Sequence, residues 1–339
     1  MRTAMRGQGR QGRRSARAAA VAVSALLALC LAACSSPVRS SASTGTWSAA
    51  VHPEPTGQPS GYSSLYGVSC PTASFCAAVD EAGAAIAWNG STWSTPIAAS
   101  PNGTLNSVSC TSPTFCVALS SQEAVTFDGH AWSAPVAVGP APTNPTGGQY
   151  EVSCVSPTFC ASVNTAGVAS LFNGTSWGHD AVVDTGTATK PVQNISCASP
   201  TFCVVVSATG NIATFNGTSW STHSSPGQSL LHSVSCPTTT FCMAVDLTGH
   251  ALVFDGSSWS AAKPMSGAGA LTYSVSCPTA SNCKVARSDG SVATWQSGIW
   301  GQSVPVLHDG TLATTAISCA SPTFCALVDS AGSVATFRS

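Results

Sequence analysis

The sequence predicts an all-β fold, a seven-bladed β-propeller with four antiparallel strands per blade. Three observations predict it. A Cys-x5-Cys pair recurs seven times in 339 residues, with first cysteines 40, 44, 43, 39, 41 and 42 residues apart. Each repeat of that length holds four short apolar or alternating runs separated by turn residues, the period of a propeller blade. The two ends of the array are complementary: the last repeat stops after its third run, and an orphan Trp run, Gly45-Thr46-Trp47-Ser48, precedes the first.

The elements of one repeat follow in order. A run ending in Val-Ser-Cys or Ile-Ser-Cys comes first, then a Pro/Ser/Thr turn to the second Cys. A second apolar run follows, such as Cys76-Ala77-Ala78-Val79. The next turn is tight and carries Gly in six repeats (Gly83, Gly167, Gly210, Gly249, Gly290 and Gly332), with Glu123 in the remaining one. A third run ends in an aromatic: Trp88, Phe127, Phe172, Phe215, Phe254, Trp295 or Phe337. Five repeats then carry Asn-Gly or Asp-Gly, a hairpin signal, starting at Asn89, Asp128, Asn173, Asn216 and Asp255. Five residues past the aromatic stands Trp93, Trp132, Trp177, Trp220, Trp259 or Trp300, read as the fourth strand. No segment sustains a 3.6-residue apolar period, which excludes a stacked helical array. A lone four-stranded blade leaves both faces bare, so the blades must pack in a ring. The Trp47 strand is expected to complete the last blade and close that ring, which removes exposed sheet edges.

Fourteen of the sixteen cysteines belong to the repeated pairs: Cys70 with Cys76, Cys110 with Cys116, Cys154 with Cys160, Cys197 with Cys203, Cys236 with Cys242, Cys277 with Cys283, and Cys319 with Cys325. A five-residue turn places the two sulfurs across a hairpin, which suits a disulfide. The loop-entropy gain is about 2–2.5 kcal/mol for each. Structural zinc prefers a shorter spacing with a second ligand pair nearby, and no His recurs at a fixed place. Disulfides at this density indicate an oxidising compartment. No metal or cofactor is expected.

The N-terminus reads as an address. Residues 1–17 hold six Arg and no acid, and residues 18–33 are apolar with small residues at their end. That run is short for a membrane crossing of roughly twenty residues. Leu31-Ala32-Ala33-Cys34 resembles the bacterial lipobox. The resemblance implies a signal peptide over 1–33, diacylation of Cys34, and a mature protein beginning there. Cys30 lies inside the apolar run. Residues 34–44 follow as the lipidated Cys and a Ser-rich flexible tether, and 45–339 as the propeller. Arg13-Arg14 leaves twin-arginine export open beside the general route. The protein is thus expected on the extracytoplasmic face of a bacterial, Gram-positive cell membrane, held by its lipid and monomeric.

With the repeat established, the chain resembles secreted and lipidated seven-bladed propeller repeat proteins of actinobacteria, with WD40-style end closure. The Asn/Asp-Gly-x-x-Trp turn loosely resembles the Asp-box of sialidase-type propellers, although the WD dipeptide is absent. The resemblance covers residues 45–339.

Only 7% of residues are charged, and the net charge is −1. Past residue 33, six basic residues face thirteen acidic ones. Such a surface does not attract nucleic acid, which needs a basic face. The Cys-x5-Cys and Asn/Asp-Gly turns share one nearly uniform face. The opposite face carries the tight second turns and inter-blade connections of varied length, where binding usually sits. Four residues before each first Cys stand Tyr66, Asn106, Tyr150, Gln193, His232, Tyr273 and Thr315. If the first strand is innermost, this ring surrounds the channel mouth and offers stacking faces and hydrogen bonds to a glycan or peptide. A polar rim that merely hydrates the channel is the plainer alternative. The second turns carry Asp80, Glu81, Glu123, Asp246, Asp289 and Asp329, so an acidic face is expected. Arg287 stands where Asp80, Asp246 and Asp329 stand in other repeats. It is a candidate anion anchor, or else a local partner of Asp289.

Enzyme signatures are weak. The chain past residue 33 has only Arg39, Arg287 and Arg338, too few for a sialidase arginine cluster. No paired carboxylates are marked out for glycoside hydrolysis, and no Gly-x-Ser-x-Gly elbow comes with an associated His and acid. No catalytic residue is assigned. The expected function is a membrane-tethered binding scaffold for a protein, peptide or glycan. The alternatives are a glycan-processing enzyme of sialidase-like architecture and a structural envelope component.

Overall fold

A computed structural model describes residues 45–53, 63–139, 150–184, 191–226, 230–265, 270–307 and 314–339, with the side chains of residues 179 and 180 excepted. The expected signal peptide, Cys34 and the expected Ser-rich tether lie outside the described residues, as do parts of the inter-blade connections.

The fold is all-β, with seven sheets built on one plan. In blade 1, Leu65–Thr72, Phe75–Asp80, Ala84–Trp88 and Ile97–Ala98 pair antiparallel in that order. The first strands begin at Leu65, Ser107, Tyr150, Val192, Leu231, Thr272 and Thr314, and they line the central channel. The last blade is closed as expected: Thr46–Trp47 pairs with Val334–Arg338, in the register Trp47↔Phe337. The same aromatic register occurs inside blades, as Phe172↔Trp177 and Phe215↔Trp220. The ring centroids lie 5.5 Å apart at the seam and 5.1 Å apart in Phe215–Trp220. The seam therefore remakes an ordinary blade from the two ends of the array.

The outer strand is the expected Trp strand in blades 3, 4 and 7 and departs from it elsewhere. In blades 1, 2 and 5, Trp93, Trp132 and Trp259 form only isolated bridges. The outer strands there are the later pairs Ile97–Ala98, Val136–Ala137 and Lys263–Pro264. Blade 6 has both kinds, Ile299–Trp300 and Val304–Pro305, against one neighbour. The aromatic pair fixes the turn, while the outermost ladder has little to bury and is short.

The core is divided into seven inter-blade layers. Each apolar cluster joins two adjacent blades, including blades 7 and 1 through Phe324, Val328, Ile86 and Trp88. The Phe before the second Cys reaches the next blade's third-strand aromatic, as in Phe75–Phe127, Phe202–Phe254 and Phe241–Trp295. Blade 6 breaks this pattern. Asn282 replaces the Phe, and the Lys284 ammonium sits 4.0 Å over the Phe337 ring instead.

All seven Cys-x5-Cys pairs are disulfides, with Cα–Cα distances of 3.9–4.1 Å. Crosslinking is not their only role. Cys76, Cys116, Cys160, Cys203, Cys242, Cys283 and Cys325 are all 0% exposed. Each belongs to one of the seven inter-blade clusters, so its sulfur is packing as well as a crosslink. The cause is the position of the second strand: from the second Cys onward it is buried on both faces, between the neighbouring blades. These seven residues are therefore structural and cannot touch a ligand.

The Asn/Asp-Gly turns are capped from within. Asn216 Oδ1 accepts the amides of Thr218 and Ser219 at 3.0 and 2.9 Å, and Asp255 Oδ1 those of Ser257 and Ser258 at 2.9 and 2.8 Å. Hydrogen bonds from these two residues lower the Asp255 carboxyl to about 2. In the second turns, Gly290 has φ +74° and its carbonyl accepts the Val306 and Leu307 amides at 3.0 and 3.1 Å. A side chain at Gly290 would meet the Leu307 carbonyl, which explains glycine there.

Candidate functional site

The invariant Ser before each first Cys has a structural cause that spacing alone does not show. Ser69 Oγ accepts the Cys110 amide of the next blade at 2.9 Å. Ser109, Ser153, Ser196, Ser235 and Ser276 repeat the bond, each at 2.9 Å. Ser318 returns it to Cys70 across the seam at 2.9 Å. Seven hydrogen bonds thus circle the channel. Each satisfies an amide that the blade's own ladder leaves free.

Above this belt, the first strands enclose a cavity of about 190 Å³. Tyr66, Asn106, Gln193, His232, Tyr273 and Thr315 line it, six of the seven ring residues. The seventh is displaced. In blades 1, 4, 5, 6 and 7 a one-residue bulge sits at the ring position; in blade 1 it separates Leu65↔Asp80 from Gly67↔Val79. Blade 3 pairs Tyr150↔Asn164 and Glu151↔Val163 with no bulge there. One fewer residue moves Tyr150 into the place of Leu65. Tyr150 is 3% exposed inside the blade, where its hydroxyl accepts a hydrogen bond from Asn164 Nδ2 at 3.3 Å. Glu151 lines the cavity instead.

The lining is rich in acceptors. Asn194 Nδ2 donates to Glu151 Oε2 at 3.3 Å, and Ser107 supplies a second hydrogen bond to that carboxylate. Burial outweighs both bonds and pushes the Glu151 carboxyl up to about 7. His232 Nδ1 lies 2.8 Å from the Tyr273 carbonyl, which can only accept, so Nδ1 carries the proton and Nε2 is the acceptor in the neutral ring. Burial favours that neutral form and lowers the His232 pKa. The His232 and Tyr273 rings meet edge-on with centroids 5.5 Å apart. Thr315 Oγ1 is committed to the Leu65 carbonyl at 2.6 Å. At the rim, burial and then the Glu81 charge raise the Tyr66 phenol.

Only part of the expected acidic face is presented to solvent: Glu81 and Asp289 are exposed, whereas three of the second-turn acids are buried. Asp80, Asp246 and Asp329 are at most 3% exposed. Each caps its own turn: Asp80 Oδ1 accepts the Ala84 amide at 2.7 Å, and Asp329 Oδ1 the Ser333 amide at 2.8 Å. Asn164 and Ser120 do the same in blades 3 and 2. Arg287 cannot cap, so Asp289 Oδ1 takes the Ser291 amide at 3.0 Å. Arg287 is 3% exposed, donates Nη1 to Ser303 Oγ at 2.9 Å, and lies outside the channel lining. No salt bridge joins it to Asp289 among the described residues. Among the described residues, no three His, Cys, Asp or Glu side chains gather as metal ligands.

A larger groove, about 800 Å³, flanks the closing seam and is lined by Trp47, Trp88, Trp93 and Arg338. It lies on the side of the ring, beside the point where the chain leaves Pro53 for residues outside the described set. Its Trp residues already serve the aromatic pairs of blades 7 and 1, so the channel is the better candidate.

No protein-family model matches the chain, and no curated protein matches it. Solved structures do. YCF48 from Cyanidioschyzon merolae aligns with a TM-score of 0.63 at 14% identity, over 86% of this chain and 99% of that one. YCF48 bound to D1 peptide aligns with a TM-score of 0.65 at 16% identity, over 86% and 97%. The WD40 propeller domain of Doa1 aligns with a TM-score of 0.68 at 15% identity, over 86% and 96%. At such identities the likeness concerns the fold: the chain is a seven-bladed, WD40-like β-propeller.

Proposed function

We propose that this protein is a binding scaffold, tethered by a lipid on Cys34 to the outer face of a bacterial cell membrane, that holds a protein or peptide partner on its inter-blade face. The carrying observation is the contrast between the two faces. The hairpin face repeats one disulfide in all seven blades and one capped turn in five, whereas the opposite face opens on the channel, where the blades differ. A repeated scaffold with variation confined to one end is suited to recognition. Similarity to a propeller solved with a bound peptide supports a peptide or protein partner over a glycan. The lipobox-like Leu31-Ala32-Ala33-Cys34 and seven disulfides support the compartment.

Crosslinking from the intact envelope, followed by glycan-array binding of the purified protein, tests the reading. A recurrent protein adduct with no glycan signal is expected. A glycan hit that is turned over would favour the sialidase-like enzyme instead, and neither adduct nor glycan would favour a structural component. Metabolic labelling with a fatty-acid analogue should mark the protein, and Cys34→Ser should remove the label and release the chain. Retention of the label in that variant would contradict the anchor.

A further inference from the structure

The channel carries an ionisable carboxyl that the architecture does not require. The lining position three residues before the first Cys holds Gly67, Ser107, Asn194, Ser233, Ser274 and Ala316 in the other blades. Where it serves the scaffold, it accepts the next blade's amide: Ser107 from Val152, Ser233 from Val275 and Ser274 from Ile317, each at 3.2 Å, and Asn194 from Val234 at 3.1 Å. A small neutral oxygen meets that need. Blade 3 places Glu151 there, with the flanking blades supplying only the neutral donors Ser107 and Asn194.

We infer that the upper channel is a binding site for an ammonium group, held by the Glu151 carboxylate. The site rests on the scaffold reading above and gives it a ligand chemistry. No Lys or Arg lines the cavity among the described residues. The neutral His232 ring offers an acceptor at Nε2, and Tyr66 and Tyr273 add hydroxyls and ring faces that suit a cation. Glu81, close enough to act on Tyr66, adds negative potential at the rim. A volume of about 190 Å³ admits the end of a lysine side chain or a small diamine, and excludes a folded segment. With no cation bound, burial pushes the pKa of the Glu151 carboxyl up to about 7, and a bound cation would favour its charged form.

The test titrates the whole protein at pH 8 by calorimetry and ligand-observed NMR. Its probes are N-acetyl-lysine methylamide, the neutral norleucine analogue, and cadaverine. The lysine probe should bind about tenfold or more tightly than the norleucine probe, as expected for a charge-assisted hydrogen bond. Glu151→Gln, nearly isosteric, should erase the difference. Equal binding by cadaverine would identify a free amine as sufficient. Preference for the peptide-like probe would identify a lysine side chain of a partner. Equal affinity for lysine and norleucine, or no binding of either at tens of millimolar, overturns the inference without any variant. An envelope adduct that forms equally with Glu151→Gln, together with no lysine preference, would sink the channel site and leave the scaffold reading standing.

Discussion

Lys284 is the residue whose removal should improve this protein. It is 2% exposed at the interface of blades 6 and 7, and its ammonium meets the Phe337 face and Thr294 Oγ1 at 3.3 Å. Burial lowers its pKa to about 8. The unfolded chain keeps the ordinary value near 10.5. Below pH 8 both states are charged and the burial penalty is fully present. Between about 8 and 10.5 the folded state is the less protonated one, so stability rises with pH, and above 10.5 the penalty is gone. The displacement sets an upper bound of about 3 kcal/mol. Local relaxation and water penetration around the buried ammonium reduce it, to about 1–2 kcal/mol. The adjacent blade shows the repair, for Phe241 and Met243 occupy the places of Asn282 and Lys284 and cover Trp295. Lys284→Met should therefore raise the unfolding free energy of the oxidised protein, measured in urea at pH 7, by about 1–2 kcal/mol, and Asn282→Phe/Lys284→Met by more. The wild type should gain about 1 kcal/mol between pH 7 and 9.5, and this gain should vanish in the variant. A destabilised Lys284→Met, or an unchanged pH slope, would refute the reasoning.

The remaining predictions concern the belt, the seam and the channel. Ser196→Ala strands the Cys236 amide and should cost about 1–3 kcal/mol in chemical denaturation; a loss no larger than that of the exposed Ser257→Ala would show that the belt is idle. Trp47→Ala removes the half-buried aromatic that closes the ring and should cost about 2–3 kcal/mol, with earlier proteolysis at the chain ends. Glu151 has the opposite sign to Lys284: its folded pKa is raised to about 7 from 4.5, so its contribution falls as pH rises between those values. Glu151→Gln should accordingly stabilise the protein at pH 8 and have little effect at pH 4, as read by thermal unfolding at both pH values.

Most of the architecture is legible because the repeats reinforce one another. Cys spacing, Asn/Asp-Gly turns and aromatic addresses each name the same period, and the orphan Trp47 strand locates the seam. What stays hidden depends on register. A bulge one residue long decides whether Tyr150 or Glu151 faces the channel, and counting back from Cys154 cannot reveal that blade 3 lacks it. Spacing pairs the cysteines, but only the packed ring shows that the pairs belong to the core, the second members fully and the first nearly so. Asp80, Asp246 and Asp329 look like surface acids, but their amide partners lie on their own turns. Arg287 stands out by type, yet nothing in the sequence shows that its guanidinium turns to Ser303 inside the blade. The Ser belt is visible as an invariant letter and becomes intelligible only once adjacent first strands stand side by side.

The binding claim is tested most directly by face-resolved photocrosslinking in the native envelope. A photoreactive residue at exposed Gln122, in the second turn beside the inter-blade face, is compared with one at exposed Thr158 in a disulfide hairpin of the opposite face. A discrete protein adduct from Gln122 and none from Thr158 is the predicted result. Adducts from Thr158 alone, or equally from both positions, would contradict it.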